Sequence, residues 1–176
     1  MTIVIDTRER TPYTFSMFEG GNVEIVRQKL DAGDYSLVGH EHDIAIERKT
    51  HADAYGCLGR GRKRFHREID RLITYKYAAI IIECSLQTFL EPPPHSTLSP
   101  SAAINTLISW DLRFGVRAIF AGTRGLAETY VFRMLQKFND HHSEETLARR
   151  SDETSPEGTG TCQPRGKNTS SRSSRG

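Results

Sequence analysis

Apolar positions in the first 142 residues repeat with two alternating periods. Short runs rich in β-branched residues predict strands at 2–5, 23–26, 35–38, 44–47, 77–83 and 116–121, the first of them buried. Phe65, Ile69, Leu72 and Ile73 recur at helical spacing and predict a helix over 62–76. A second helix starts at Ser99 and Pro100, an N-cap followed by a first-turn proline. It carries Ile104, Leu107, Ile108 and Leu112 and ends near Gly115. The last helix runs from Thr123 to about Phe138, with Leu126, Tyr130, Met134 and Phe138 along one side. Pro92, Pro93 and Pro94 keep the segment around them as a loop. The order β-β-β-β-α-β-α-β-α predicts an α/β fold, a central mixed sheet flanked by helices.

From residue 143 the periodicity stops. Only Leu147, Ala148 and Cys162 are apolar there, and residues 165–176 hold four basic side chains and no acid. Such a segment buries too little apolar surface to offset its ordering entropy. It predicts a folded domain over 1–142 and a disordered polar, basic C-terminal tail over 143–176. The 176-residue chain is 36% hydrophobic and 26% charged, enough for one core diluted by such a tail. No apolar run approaches the ~18 residues of a membrane span, which excludes an integral membrane protein. The first residues have neither a basic leader nor a cleavage site. Cys57, Cys84 and Cys162 lie far apart without C-x-x-C spacing, which argues against a disulfide framework or zinc site and for a reducing cytoplasm. The compact form suits a prokaryotic or viral cytoplasmic protein.

Candidate chemistry concentrates between Gly33 and Lys49. A hairpin centred between His40 and Glu41 places Tyr35 opposite Ile46, Leu37 opposite Ile44 and Asp34 opposite Glu47. Tyr35, Leu37, Ile44 and Ile46 then form one apolar face, and Asp34, Ser36, Ala45, Glu47 and Lys49 share the other. Opposed residues have Cβ atoms ~5 Å apart, so the two carboxylates repel unless a cation lies between them. A hard divalent ion such as Mg²⁺ or Mn²⁺ meets that need. The Lys49 ammonium beside it can orient water, help deprotonate it, or stabilise a negatively charged transition state. A solvated face with an incidental Glu47–Lys49 pair would share the pattern; the agreeing apolar face is what lifts the metal reading to equal weight.

Further residues add to this constellation. Asp53, four residues past Lys49, falls near the hairpin end in a short helix or turn, where an N-cap would also use it. Asp6 ends the first strand, at the edge where open sheets place their sites, with Arg8 and Glu9 following. Residues 59–71 hold six basic side chains, among them Arg60, Arg62, Lys63, Arg64 and Arg67, against two acids. They predict a helix-opening patch for a polyanion, although internal pairs such as Arg67 with Asp70 or Arg64 with Glu68 would also account for them. The glycines there are not a P-loop, so no nucleotide cofactor is expected. His40 and His42 read as polar loop residues rather than metal ligands, Trp110 as packing, and His141 and His142 as a helix-end pair facing its dipole.

These motifs resemble the XPF/Hef family of structure-specific endonucleases, a branch of the restriction-like PD-(D/E)xK nucleases. The family signature G-D, gap, E-R-K-x-x-x-D stands here as Gly33 and Asp34, then Glu47, Arg48, Lys49 and Asp53. Its acid-x-Arg-Glu element is similar to Asp6, Arg8 and Glu9. Its Gly-Arg…helix…I-I-E element is similar to Gly61 and Arg62 through Ile81, Ile82 and Glu83. The resemblance covers about residues 3–138. It implies an XPF-type nuclease fold with Asp34 and Glu47 as metal ligands and Lys49 handling water. Asp6, Glu9 and Asp53 would be supporting acids, with Asp6 also a metal ligand, and Arg8 and Arg48 would serve phosphate or structure the site. It also implies dimerisation through nuclease-domain helices. Two departures stand out: the helix-hairpin-helix module that usually follows in the family is replaced by the polar tail, and Glu68 stands where the family often has Gln.

The sequence thus points to a metal-dependent endodeoxyribonuclease acting on branched or flapped DNA in repair, recombination or replication. The alternative is a catalytically idle DNA-binding or scaffolding subunit. DNA is the expected partner, with a second copy or another protein supplying affinity.

Overall fold

The computed structural model describes residues 1–18 and 23–153, with side chains through residue 144. Six strands, β1 (Thr2–Asp6), β2 (Glu24–Gln28), β3 (Tyr35–Leu37), β4 (Ile44–Thr50), β5 (Tyr77–Glu83) and β6 (Arg117–Phe120), form one sheet in the order β2-β1-β3-β4-β5-β6. β3 is antiparallel to both β1 and β4, and the other neighbours are parallel, so the sheet is mixed as expected. The helices are α1 (His51–Leu58), α2 (Arg62–Leu72), α3 (Leu86–Phe89), α4 (Pro100–Phe114) and α5 (Arg124–Glu153).

Side-chain alternation on the central strands divides the core between two layers. Ile3, Ile5, Tyr35, Leu37, Ile44, Ile46 and Ile81 pack beneath Ala127, Val131 and Leu135 of α5. On the opposite face Ala45, Ile80 and Ile82 meet Tyr55 and Leu58 of α1, Phe65 and Ile69 of α2, and Trp110 of α4. Trp110 packs edge-on against Phe65, as its packing role requires. The hairpin pairs Tyr35 with Ile46, the expected register, so the charged side of β4 faces the α1–α2 layer.

α4 follows its local signals closely. The Ser99 hydroxyl accepts the Ala102 N–H, Pro100 opens the first turn, and Gly115 closes the helix at φ 68°. Four expectations are corrected. β2 is an exposed edge strand shifted toward Gln28, because only β1 pairs with it. α1 is the short helix expected around Asp53, but the short α3 falls where no apolar period of helical length exists to mark it. The α5 face against the sheet is formed by Ala127, Val131, Phe132 and Leu135, while Leu126 and Tyr130 are exposed. Finally, α5 does not stop near Phe138 but continues to Glu153, so the expected boundary at 142 falls inside it. Glu144, Glu145, Leu147, Ala148, Arg149 and Arg150 are strong helix formers that extend a helix already nucleated by packing. His141 and His142 are therefore mid-helix rather than at a helix end. Residues 154–176 of the expected tail lie outside the described residues.

Candidate active site

Gly33 brings the first acid to the sheet. Its φ of 75° and its approach to Ile46, where an added Cβ would lie 3.1 Å from the backbone N and O, both demand glycine. The Asp34 N–H then donates to Ile46 O (2.8 Å), and Asp34 O accepts from Asp6 N (2.9 Å), which carries the ladder one residue beyond β3. Extended by that residue, the register sets Asp34 opposite Glu47. The Asp34 Oδ2 accepts the Arg48 backbone N–H at 2.7 Å.

Glu47 is buried, 8% exposed, and its Oε1 accepts from the Lys49 ammonium. The Lys49 Nζ also lies 5.2 Å from the Phe65 ring centroid, so α2 fixes it from above. A cavity of about 400 Å³ opens over this pair, walled by Cys57 of α1 and by Arg64, Glu68 and Arg71 of α2. Asp34, Glu47 and Lys49 thus share one face, as the hairpin reading requires.

The electrostatics follow from that crowding. Burial, then the Glu47 charge, push the Asp34 carboxyl up to about 8 against the Arg48 N–H bond. Burial also raises Glu47, opposed by Lys49 and reinforced by Glu68 and Glu9. For Lys49, burial pulls downward, but Glu47 and then Asp34 outweigh it and leave the ammonium raised. Asp34 and Glu47 thus outnumber the one lysine set beside them, while Arg64, Arg67 and Arg71 line the cavity from α2. Two closely set carboxylates, Glu47 buried and Asp34 half-buried, with only hard oxygen donors fit Mg²⁺ or Mn²⁺.

Other expected site residues are engaged differently. Asp6 is 1% exposed, and its carboxylate accepts from Arg8 N (2.6 Å), Nε (2.8 Å) and Nη2 (2.8 Å) and from Leu30 N (2.7 Å). Burial raises it, but these donors win and lower it. With its oxygens so occupied, Asp6 is corrected from metal ligand to the brace of the β1 end, and Arg8 is committed to Asp6 and Leu30 O.

Arg48 points to the opposite face. Its fork donates to both Glu83 oxygens (2.7 and 2.9 Å), and Nη1 reaches Thr11 Oγ1 (3.0 Å) and Glu9 Oε1 (3.4 Å). Of the two roles expected for Arg48, these bonds are those of an arginine that structures the site. Glu9 is held by Thr11 and Arg48 and acts on the acids through its charge. Asp53 is exposed and caps α1 reciprocally: its N–H donates to Thr50 Oγ1 (3.2 Å), which donates to Asp53 Oδ2 (2.7 Å). It is thereby corrected from supporting acid to helix cap.

Along α2 and its approach, Arg60, Arg62, Lys63, Arg64 and Arg67 are exposed. The expected internal pairs are replaced by Arg71 with Glu68 and His66 with Asp70. Among the described residues Arg60, Lys63, Arg64 and Arg67 have no ion pair, and Arg62 donates to Thr106 Oγ1 (3.2 Å). The sequence reading missed Glu68 and Arg71 as walls of the pocket. Their i, i+3 spacing on the α2 face, one turn beyond Phe65, is the signal that would have found them.

The ERCC4 domain family matches residues 5–134, and the chain belongs to that family. Its fold is the XPF nuclease fold. It is similar to XPF from Aeropyrum pernix at 22% identity and a TM-score of 0.64, over 84% of this chain and 69% of that one. A structure of XPF from Aeropyrum pernix in complex with DNA matches at 26% identity and a TM-score of 0.60, over 80% of this chain and 65% of that one. No curated protein matches the chain.

Proposed function

We propose that this chain is a DNA endonuclease that hydrolyses phosphodiester bonds with a divalent cation, Mg²⁺ or Mn²⁺, held by Asp34 and Glu47. The observation that supports it is the convergence of Asp34, Glu47 and Lys49 on one face, under a helix on which Lys63, Arg64 and Arg67 are exposed and form no ion pair among the described residues. When bound, such an ion lowers the pKa of a water and stabilises charge on the leaving oxygen. The residues supply the rest. Glu47 and Asp34 offer oxygen donors, and the Arg48 N–H fixes the Asp34 carboxylate. Lys49 stays an ammonium at neutral pH, so it orients water and balances the phosphate charge rather than removing a proton. Arg64 and Arg67 neutralise neighbouring phosphates of the backbone. The nuclease unit in this reading spans β1 to α5, and its substrates are branched or flapped DNA, the class the XPF resemblance implies.

The apolar groove between α5 and the sheet, about 720 Å³ and lined by Ile44, Tyr77, Phe120, Leu126, Tyr130 and Met134, supports self-association or a partner protein.

The test is incubation of the full chain with branched, flapped and linear DNA in Mg²⁺ or Mn²⁺. Cleavage is expected, and Asp34→Asn and Lys49→Ala are expected to abolish it. Cleavage that persists in those variants would overturn the assigned roles. If the parent chain binds DNA without cutting, and calorimetry shows no Mn²⁺ binding sensitive to Glu47→Ala, the protein is the idle DNA-binding subunit.

A further inference from the structure

A second cluster of metal-ligating groups lies at the other end of the β3–β4 hairpin. His40 and Asp43 in its turn meet His142 of α5, with one ligand atom from each within 4.8 Å of the others, and all three side chains are half-buried. These residues are 102 apart in sequence, so only the tertiary fold assembles them.

The rings are held in place. His40 Nδ1 lies 3.0 Å from Asp43 Oδ2. His40 meets Phe138 edge-on at 5.6 Å and His142 at 4.8 Å, and His142 stacks on Phe138 at 4.2 Å. His142 Nδ1 faces the Phe138 carbonyl at 3.3 Å. With that proton on Nδ1, the lone pair sits on Nε2, the arrangement in which a histidine ligates metal while its other nitrogen is anchored to a backbone carbonyl. Lys76 Nζ is 2.8 Å from Asp43 Oδ1 and leaves Oδ2 toward His40. The lysine side chain is well exposed and can swing into solvent when a cation arrives.

We propose that His40, Asp43 and His142 form a second metal site, for a borderline divalent ion such as Zn²⁺, which fastens the hairpin turn to α5. Two imidazole nitrogens and one carboxylate are a zinc-type donor set, unlike the all-carboxylate set of Asp34 and Glu47. Tetrahedral zinc with bonds of about 2.0–2.1 Å needs ligand atoms about 3.3 Å apart, so the three groups must draw in from their spacing within 4.8 Å. The fourth position is left to water. The ion would lock the hairpin whose far end carries the two acids.

Cobalt is the probe, because four-coordinate Co²⁺ absorbs strongly in the visible. The full chain carries Asp34→Asn, so that the acidic site contributes little. Titration is expected to give this absorption, saturating at one equivalent and displaced by Zn²⁺, with the melting temperature rising in Zn²⁺. His142→Gln and Asp43→Asn are each expected to weaken Co²⁺ binding by about tenfold or more. His40→Gln, in an exposed turn, replaces any variant whose circular dichroism shows unfolding. Absence of the absorption, or a titration unchanged in the variants, would overturn the site. The result is independent of cleavage and so separates from the fate of the nuclease reading.

Discussion

The backbone N–H of Arg48 donates to Asp34 Oδ2 at 2.7 Å, while the guanidinium of the same residue grips Glu83 on the other side of the sheet. One residue thereby anchors the acid from in front and the strand from behind. Asp34 is held by a β4 residue whose side chain never enters the pocket.

Asp34→Asn should stabilise the cation-free protein. Burial and the Glu47 charge push the folded Asp34 carboxyl up to about 8, well above the usual carboxylate value near 3.8, so the folded state holds a proton that the unfolded state has lost between those values. This contribution to stability is therefore full below about pH 4 and declines as pH rises toward 8. Asparagine keeps an acceptor for the Arg48 N–H without the charge. Urea unfolding at pH 8 in chelator should show a gain of about 1–3 kcal/mol and a flatter pH profile. A variant no more stable than its parent there would contradict the burial argument.

Arg48→Ala should cost about 3–5 kcal/mol, because it leaves the buried Glu83 carboxylate without its fork. Glu83 is lowered although burial raises it, since Arg48 and then Tyr13 outweigh the burial. The double variant Arg48→Met with Glu83→Gln should recover much of the loss. Chemical denaturation of the parent, Arg48→Met, Glu83→Gln and the double variant measures the coupling, and strict additivity would show that the pair does not act as a unit.

Arg64→Ala and Arg67→Ala should weaken DNA binding across sequences. Each should reduce the slope of log affinity against log salt by about 0.9 for a lost duplex phosphate contact. Anisotropy titrations at several salt concentrations are the check, with unchanged slopes arguing that this face does not meet the backbone.

Leu126→Glu should disrupt self-association while leaving the fold intact. Leu126 is 59% exposed, so its loss changes stability by about 0.5 kcal/mol or less. Light scattering after size-exclusion chromatography should show a shift to smaller species, and no shift would remove the α5 groove from the interface.

No helix among the described residues is long and apolar enough to cross a membrane, which agrees with the hydropathy pattern. The hairpin register was legible because Tyr35, Leu37, Ile44 and Ile46 all change faces together if the pairing slips by one. α4 was legible because Ser99, Pro100 and Gly115 act locally. α1 was legible only as a short helix or turn around Asp53, since its eight residues carry too weak an apolar period to fix its length; its start is set by the Thr50–Asp53 cap.

The amino-acid order alone determined the alternation of β4, the glycine before Asp34 and hence the meeting of Asp34, Glu47 and Lys49, because these depend on strand pleating and one short turn. The roles of Asp6 and Arg48 were decided only by the tertiary structure. A carboxylate or guanidinium has the same identity whether it faces solvent, substrate or a partner. Which one it faces depends on groups brought from distant segments, such as Leu30 to Asp6 and Glu83 to Arg48. The same holds for His142 beside His40, a proximity that no local spacing encodes.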